Sequence, residues 1–173
     1  MPILETERLI LRELTPDDID ALHAITSDPQ VVRYVGDGTP LPRELADKWI
    51  AVSQNNYRTK GYGASAVMLK ASGAFIGYAG IIHAPEHDHQ PELIYGFTPA
   101  YWGQGFATEL ARALIDYTFR EFLLPYIIAT IDPDNTPSRL VADKIGMTHE
   151  RTEADSDGEL TAFYIIRNPS AGE

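Results

Sequence analysis

Residues 97–110 read FTPAYWGQGFATEL, and this stretch decides the fold. It joins a short apolar run to a long amphipathic run through Gly103, Gly105 and Ala107. The first turn of a helix has unpaired backbone N–H groups and a partial positive charge, and small residues let an anion reach them. We therefore predict a strand, a tight turn and a helix whose first turn can hold a phosphate group.

Two other interpretations of this turn have to be considered. Glycines often do no more than shape a turn between a strand and a helix. The dinucleotide-binding fingerprint needs a third small residue three positions after its second glycine, and it lies early in a doubly wound sheet. Here Thr108 occupies that position, and several strand-like runs come before the motif. The nicotinamide-binding interpretation is therefore disfavoured.

Length and composition are those of an ordinary globular protein. The chain has 173 residues, of which 44% are hydrophobic and 10% aromatic, enough for a sizeable core. We expect one domain over residues 1–173, with its core over about 6–168 and a tail over 169–173. The first residues lack a secretion signal, and no apolar run is long enough to span a membrane, so a cytoplasmic location without membrane contact is expected.

Charge and cysteine content exclude several classes of function. The formal net charge is -11, from 25 acidic and 14 basic side chains, which disfavours nonspecific binding to nucleic acid. The same charge weakly favours a cationic partner such as an amine. The chain has no cysteine, which excludes disulfides, thiolate metal sites and acyl-cysteine intermediates. Any acyl transfer must be direct or use another nucleophile.

Hydrophobic periodicity and turn residues predict a mixed α/β arrangement on one central sheet. Strands are predicted over 6–14, 64–70, 74–83, 92–98, 126–131, 148–154 and 160–167. Helices are predicted from Thr15 onward, over 43–60, over 104–122 and from 135 to 146, with a loop over 31–42.

The two longest predicted helices are amphipathic. Helical spacing places Leu45, Trp49, Ile50 and Val52 on the apolar side of the helix over 43–60. In the helix over 104–122, the same reasoning predicts that Glu109 faces water.

Three motifs in this order resemble one known family. Residues 101–109, YWGQGFATE, resemble the acetyl-coenzyme A pyrophosphate loop of the GNAT N-acetyltransferases, in the RimJ/RimL-type branch that acetylates protein N-termini and small amines. Residues 135–138, NTPS, followed by Val141, Lys144, Gly146 and Met147, are similar to that family's later cofactor helix. Residues 6–12, TERLILR, are similar to the opening strand of the branch.

The resemblance covers nearly the whole chain and implies the GNAT (acyl-coenzyme A N-acyltransferase) fold, a single mixed, mostly antiparallel sheet flanked by helices. It implies acetyl-coenzyme A as cosubstrate and no metal. Trp102 stands where many members of the wider family have Gln or Arg, which leaves phosphate binding to the backbone amides.

The resemblance also implies a set of cofactor contacts. The amides from Gly103 to Thr108 would hold the pyrophosphate, the strand over 94–98 would pair with the pantetheine arm, and an amide near Phe97 would polarise the thioester carbonyl. Asn135 would bind the pantetheine, or it caps its helix, or both. The implied cofactor-binding residues are Phe97, Thr98, Trp102, Gly103, Gln104, Gly105, Phe106, Ala107, Thr108, Asn135, Ser138 and Lys144.

Two catalytic residues are implied by the same alignment. Glu92 would accept the proton of the amine directly or through one water; the alternative is a surface glutamate that only orients the substrate ammonium. Ser138 would protonate the leaving thiolate, or it is an ordinary residue of the first helical turn. Ala142 occupies the helix position where much of the wider family has a tyrosine that acts as the general acid. Tyr95 and Tyr164 have no assigned role.

His83, His87 and His89 share one polar loop, which could hold a metal ion or line an amine pocket. No metal is predicted, because the spacing matches no recognised ligand pattern. Tyr34, Asp37 and Trp49 lie in the early helical segments, from which this family builds its acceptor pockets.

The resulting prediction is an enzyme that transfers acetyl from acetyl-coenzyme A to a primary amine by direct attack in a ternary complex. The acceptor would be a protein N-terminus or a small molecule such as an antibiotic or a polyamine. The alternative is a non-catalytic domain that binds acyl-coenzyme A and serves regulation. Dimers are common in the family, so a homodimer is also open.

Overall fold

One mixed eight-stranded sheet organises the computed structural model, which describes residues 1–171. The spatial order is β1-β2-β3-β4-β5-β6-β8-β7, and only β5 and β6 are parallel neighbours. The strands are β1 (Pro2–Glu5), β2 (Leu9–Glu13), β3 (Ala64–Leu69), β4 (Phe75–His83), β5 (Pro91–Phe97), β6 (Tyr126–Ile131), β7 (Thr148–Ala154) and β8 (Leu160–Arg167).

Five α-helices cover the sheet. They are α1 (Ile19–Thr26), α2 (Pro29–Val32), α3 (Arg43–Lys60), α4 (Phe106–Phe122) and α5 (Thr136–Lys144), and short 3-10 turns cover Pro16–Asp18, Pro85–His87 and Pro99–Tyr101. In the part of the chain that the structure describes, none of these helices combines the length and the apolar character needed to cross a membrane.

The helices divide between the two faces of the sheet. One buried cluster joins residues of α4 and α5 to the sheet, and a second joins residues of α1 and α3 to the opposite face. Alternation along β5 follows this division, because Leu93 and Phe97 belong to the first cluster while Ile94 packs against the second. Every second residue of β5 therefore faces α4 and α5, and the residues between face α1 and α3.

Two predicted element boundaries are wrong. The loop predicted over 31–42 overlaps the short helix α2, which begins because the Asp28 side chain accepts a hydrogen bond from the Gln30 amide and Pro29 occupies the first helical position. The α-helix expected after Thr15 begins only at Ile19, because a 3-10 turn precedes it. The edge strand β1 lies before the first predicted strand and was not expected.

The buried face of α3 also differs from the prediction. Leu45 and Val52 are 44% and 54% exposed, so they do not belong to its buried side. Ala46, Ile50 and Ser53 are the buried residues of this helix. Ser53 is tolerated there because its hydroxyl donates to the Trp49 carbonyl oxygen at 2.8 Å. The core under α3 is therefore filled by smaller side chains than hydrophobicity alone predicts.

A paired arginine and aspartate attach the first helical segment to β2. Both terminal nitrogens of Arg12 donate to the Asp18 carboxylate at 2.7 Å, and the Thr15 amide donates to it at 2.8 Å. Burial by itself would raise the pKa of Asp18, but the hydrogen bonds from Arg12 and Thr15 outweigh burial and hold that pKa below its usual range. The ion pair holds α1 over the sheet.

Replacement of this carboxylate is expected to cost stability only while it is ionised. Asp18→Asn should lower the free energy of unfolding near neutral pH by about 1.5–3 kcal/mol, because hydrogen bonds to a charged group are lost. A carboxyl with a depressed pKa stabilises the fold above its unfolded pKa of about 3.9 and loses that contribution as the pH falls through the folded pKa. Urea unfolding of both proteins at neutral and at acidic pH measures this difference. The same difference at both pH values would contradict the assignment.

Candidate active site

The sheet opens between β5 and β6. Their parallel register contains one pair, Glu92 opposite Ile128, whereas the register of β5 with β4 runs from Pro91 to Phe97. Beyond Glu92, β5 is therefore paired with β4 on one edge, and within residues 1–171 no strand pairs with its other edge. An extended ligand can add to such an edge through its own polar groups.

The amides that point into the opening follow from the antiparallel pattern. The Thr98 amide donates to the carbonyl oxygen of Ile76, its register partner, at 2.9 Å. Alternate residues of an antiparallel strand face the same neighbour, so the amides of Leu93, Tyr95 and Phe97 face away from β4. The Leu93 amide meets the Ile128 carbonyl of β6 as part of the bridge at Glu92. The N–H groups of Tyr95 and Phe97 lie along the open edge.

The turn after β5 has the backbone conformation that the predicted anion cradle requires. Gly103 and Gly105 have φ values of +71° and +81°, the left-handed region that favours glycine. A Cβ at Gly103 would meet nothing within 4 Å, so backbone conformation is what requires glycine there. Gly105 directly precedes α4, and its carbonyl oxygen accepts the amide of Glu109. The amides of residues 106–108 come before that first helical bond, so a pyrophosphate fits the residues present.

An arginine from the segment between β1 and β2 holds this cradle. Arg8 Nη1 donates to the Gln104 carbonyl oxygen at 2.9 Å, and Nε donates to Glu109 Oε2 at 2.7 Å. The Arg8 guanidinium also lies 4.2 Å from the centre of the Phe106 ring. Arg8, which directly precedes β2, therefore bonds to the chain on both sides of Gly105, at Gln104 and at Glu109.

The prediction that Glu109 faces water is wrong. Its side chain is 19% exposed and accepts hydrogen bonds from the Thr6 hydroxyl at 2.6 Å and from the Arg8 amide at 3.0 Å. Burial by itself would raise the pKa of Glu109, but hydrogen bonds from Thr6 and Arg8 outweigh it and keep that pKa low. Thr6 and Arg8 belong to the opening TERLILR motif, so this motif supports the cradle.

Trp102 fixes the end of the open edge. Its indole Nε1 donates to the Phe97 carbonyl oxygen at 2.8 Å, although the residue is 48% exposed. The carbonyl and amide of one strand residue point to the same side, so this bond agrees with a Phe97 amide that faces the opening. Trp102 thus contacts the strand main chain, a role that the motif alone does not indicate.

Residues of α5 border the other side of the opening. The Asn135 side-chain oxygen accepts the Ser138 amide at 3.3 Å, so its capping interpretation is confirmed. The Tyr95 hydroxyl donates to Ser138 Oγ at 3.2 Å across the opening, and burial raises the pKa of Tyr95. Ala142 is buried, and Tyr164 accepts from Arg139 at 3.3 Å. Of the two unassigned tyrosines, Tyr95 is the one that contacts a candidate catalytic residue.

Lys144 lies at the far end of α5 from Ser138. Its carbonyl oxygen accepts a hydrogen bond from Arg112 Nη2 at 2.7 Å. Lys144, Gly105 and Thr108 line one shallow depression beside the first turns of α4. A cation in this position suits a ligand with several phosphate charges.

Glu92 lies on the opposite face of the sheet and is 5% exposed, so it is not a surface glutamate. Its Oε1 accepts a hydrogen bond from the Thr130 hydroxyl, and His87 Nδ1 lies 2.9 Å from its Oε2. The sequence did not predict these two partners. Thr130 is on β6 and reaches Glu92 only because the two strands pair at Ile128.

The other histidines of the loop are engaged elsewhere. His83 Nε2 lies 2.7 Å from the Tyr62 hydroxyl, and its Nδ1 lies 2.5 Å from the His89 carbonyl oxygen. Among residues 1–171, no three side chains of His, Cys, Asp or Glu are placed to hold a metal ion together.

The residues predicted to line the pocket of the acceptor amine do not form one cluster in the structure. The Trp49 ring packs edge-on against Tyr78, with ring centres 4.9 Å apart. Asp37 instead accepts hydrogen bonds from Thr39, and Tyr34 lies beside Arg33. Tyr78 was not singled out from the sequence, yet burial raises its pKa to about 12.

Gly96 explains how Tyr78 reaches the open strand. A Cβ at Gly96 would lie 2.6 Å from the Tyr78 ring, closer than any side chain could approach. The ring therefore rests directly on the β5 backbone, on the face of α1 and α3. Tyr78 is 6% exposed, and within residues 1–171 its hydroxyl makes no hydrogen bond.

Comparison with known proteins decides the family. The model of the acetyltransferase (GNAT) domain matches residues 8–148. The chain belongs to the GNAT acetyltransferase family. It is 33% identical over 147 residues to the uncharacterized N-acetyltransferase YnaD of Bacillus subtilis strain 168, covering 85% of this chain and 83% of YnaD. The GNAT fold and acetyltransferase activity predicted from the sequence are confirmed.

Solved structures agree with this membership. The acetyltransferase from Agrobacterium tumefaciens strain C58 superposes with a TM-score of 0.81 at 30% identity, covering 96% of this chain and 95% of that one. RimL, a ribosomal L7/L12 alpha-N-protein acetyltransferase in complex with coenzyme A, shares the fold with a TM-score of 0.79 at 17% identity, covering 96% and 98%. GNAT enzymes use acetyl-coenzyme A, and the cradle before α4 fits that molecule.

Removal of the Arg8 side-chain bonds is expected to loosen the cradle. Arg8→Met keeps an unbranched apolar side chain but loses the hydrogen bonds to Gln104 and Glu109 and the guanidinium over Phe106, so the dissociation constant of acetyl-coenzyme A should rise about tenfold, or ~1.4 kcal/mol. Arg58→Met is the matched control, because exposed Arg58 bonds only to Asn55 within α3. Isothermal titration calorimetry measures both variants. An unchanged constant in Arg8→Met would show that the loop holds its shape without this arginine.

Proposed function

We propose that this GNAT protein is an N-acetyltransferase of the RimJ/RimL type that acetylates a primary amine. The single observation that carries the proposal is the open edge of β5, which leads from the buried Glu92 to the anion cradle at Gly103 and Gly105. One end of this edge suits a phosphate group and the other suits proton transfer. An acyl carrier with an extended arm would connect the two.

In this proposal the cofactor binds through the main chain. The amides of residues 103–108 hold the pyrophosphate, and Lys144 adds a positive charge beside them. The amide of Phe97 pairs with the pantetheine arm as a neighbouring strand would. Asn135 has a side-chain NH₂ left after capping α5, which suits the amide carbonyls of pantetheine.

The Tyr95 amide, which lies on the open edge nearer to Glu92 than Phe97 does, supplies the electrophilic contact. Negative charge develops on the thioester oxygen when the amine attacks, and one fixed donor aimed at that position is worth roughly 2.7–4 kcal/mol of barrier. The ladder to β4 and the Trp102 bond to the Phe97 carbonyl hold this part of β5 in place, so the donor needs no reorganisation during the reaction. Alignment of the two reactants can contribute a further ~7–11 kcal/mol.

Proton transfers complete the reaction. An ammonium ion has no lone pair, so the acceptor must lose a proton on the Glu92 side of the sheet before or during attack. The leaving thiolate takes a proton from Ser138, which the Tyr95 hydroxyl contacts, or from water. The chain has no cysteine, which agrees with direct attack in a ternary complex.

The acceptor is proposed to approach over α1 and α3. Ile94 and Tyr78 belong to that face, and the Trp49 ring packs on Tyr78. The acidic chain attracts a cation, and the aromatic surfaces suit its apolar part. A protein N-terminus and a small-molecule amine both meet this description. The RimJ/RimL assignment rests on the TERLILR, YWGQGFATE and NTPS motifs.

Calorimetric titration tests the cofactor part of the proposal. Acetyl-coenzyme A and coenzyme A should bind in the micromolar range and NAD should not, and Gly105→Glu should abolish binding because a carboxylate then occupies the cradle. Thiol release is then followed with a tripeptide, a polyamine and an aminoglycoside as acceptors. No binding to folded wild-type protein would overturn the cofactor assignment. Binding without thiol release from any acceptor would indicate a regulatory binding domain.

A further inference from the structure

We propose that His87, through its Nε2 atom, accepts the proton of the attacking amine, and that Glu92 acts as the residue that positions this imidazole. The inference rests on the proposed function and names the base of that reaction. It concerns a loop histidine that the family motifs do not include.

The Glu92 carboxylate has little room for a substrate. Its side chain is 6% exposed, and each oxygen already has a partner, Thr130 on one and His87 on the other. An amine that used Glu92 directly would have to displace one of these buried partners. His87 is 24% exposed, so it is the member of the pair that a substrate can reach.

The pairing determines which imidazole nitrogen is available. An ionised carboxylate accepts hydrogen bonds and cannot donate them, so His87 Nδ1 must hold the proton at its 2.9 Å contact with Glu92. The lone pair of the neutral ring then lies on Nε2. Within residues 1–171, Nε2 makes no hydrogen bond, so it is left for a ligand. The same arrangement orients the base of serine hydrolases.

The ring is also held by packing. His87 stands edge-on to Phe163 with ring centres 5.6 Å apart, and the Arg151 guanidinium lies 4.0 Å from the same Phe163 ring. Phe163 is on β8 and Arg151 on β7. The charged groups near His87 are therefore Glu92 on β5, Arg151 on β7, and Glu86 and Asp88 in its own loop.

The backbone of the loop is strained where it presents His87. Asp88 and His89 both have left-handed conformations, with φ values of +55° and +54°, which non-glycine residues adopt at a cost. The loop closes through the His89 amide on the Ala84 carbonyl oxygen at 3.1 Å and through the His83 contact to His89. Such strain persists where the surrounding contacts impose it. In this loop, the two closing contacts hold His87 beside Glu92.

The position of the pair suits the reaction. Glu92 faces Ile128 at the last pair before β5 and β6 separate, so His87 stands near the apex of the opening. Glu92 and Ile94 lie on the face of α1 and α3, opposite the cofactor helices α4 and α5. An amine bound there attacks the thioester through the opening.

The proposed step forms a C–N bond and breaks a C–S bond. The amine nitrogen forms a bond to the thioester carbon, and the carbonyl electron pair moves to oxygen. His87 Nε2 takes a proton from that nitrogen, and collapse of the tetrahedral intermediate breaks the C–S bond with its electron pair on sulfur. The thiolate takes a proton from Ser138 or water, and His87 returns its proton to solvent.

Variant kinetics test the assignment with an acceptor found in the thiol-release assay. His87→Gln should lower kcat/KM by about 10²–10⁴-fold without a change in acetyl-coenzyme A affinity. Added imidazole should restore part of the rate. His149→Gln, at an exposed histidine on β7, is the matched control and should match wild type.

Nitrogen-15 NMR of the histidine rings provides a readout apart from turnover. Wild-type His87 should show the Nδ1–H tautomer, and Glu92→Gln should shift it toward Nε2–H. A near wild-type rate in His87→Gln, with activity lost in Glu92→Gln, would overturn the inference and leave Glu92 as the base. No thiol release by wild-type protein with any acceptor would instead refute the proposed function, and the inference with it.

Discussion

A single register pair between β5 and β6, Glu92 opposite Ile128, is the constraint on which the rest of the structure depends. Two parallel strands that continued to pair would leave neither an open edge nor free amides. Because they separate after this pair, β5 keeps one ladder to β4 for stability and leaves the other for a ligand. The proposed active site is therefore an opening in the sheet rather than a cavity lined by side chains.

The opening has different chemistry at its two faces. On the face of α4 and α5, backbone N–H groups supply the hydrogen-bond donors. The left-handed conformations of Gly103 and Gly105 and the hydrogen bond from Arg8 to the Gln104 carbonyl oxygen hold these groups in place. On the face of α1 and α3, side chains supply the chemistry, with the buried Glu92 and its partners at the apex. In the proposed reaction, this separation lets an anionic carrier and a cationic acceptor approach from opposite sides.

Much of the fold could be predicted from sequence. The predicted bounds of α3, β6, β7 and β8 match the structure to the residue, because their periodicity and end signals agree. The contacts of Glu109 could not be predicted, because its partner Arg8 lies about a hundred residues away along the chain and helical periodicity alone places it in water. The prediction that Leu45 and Val52 are buried was wrong for a related reason. Other residues of α3, Ala46, Ile50 and Ser53, face the core.

The candidate site was predicted unevenly. Motif residues such as Gly105 are recognisable because backbone geometry restricts their identity, whereas the partnership of His87 with Glu92 depends on how one loop folds back. Thr130 carries no local signal at all, since its role arises from the register of two strands.

Hydrogen exchange at single backbone amides tests whether the cofactor binds along the open edge of β5. The measurement compares the protein alone with the protein at saturating acetyl-coenzyme A. We expect slower exchange at Tyr95 and Phe97 and at residues 103–108, with little change at Ile94 and Gly96, which already face β4. Unchanged exchange at the open-edge amides, with cofactor bound, would contradict this mode of binding.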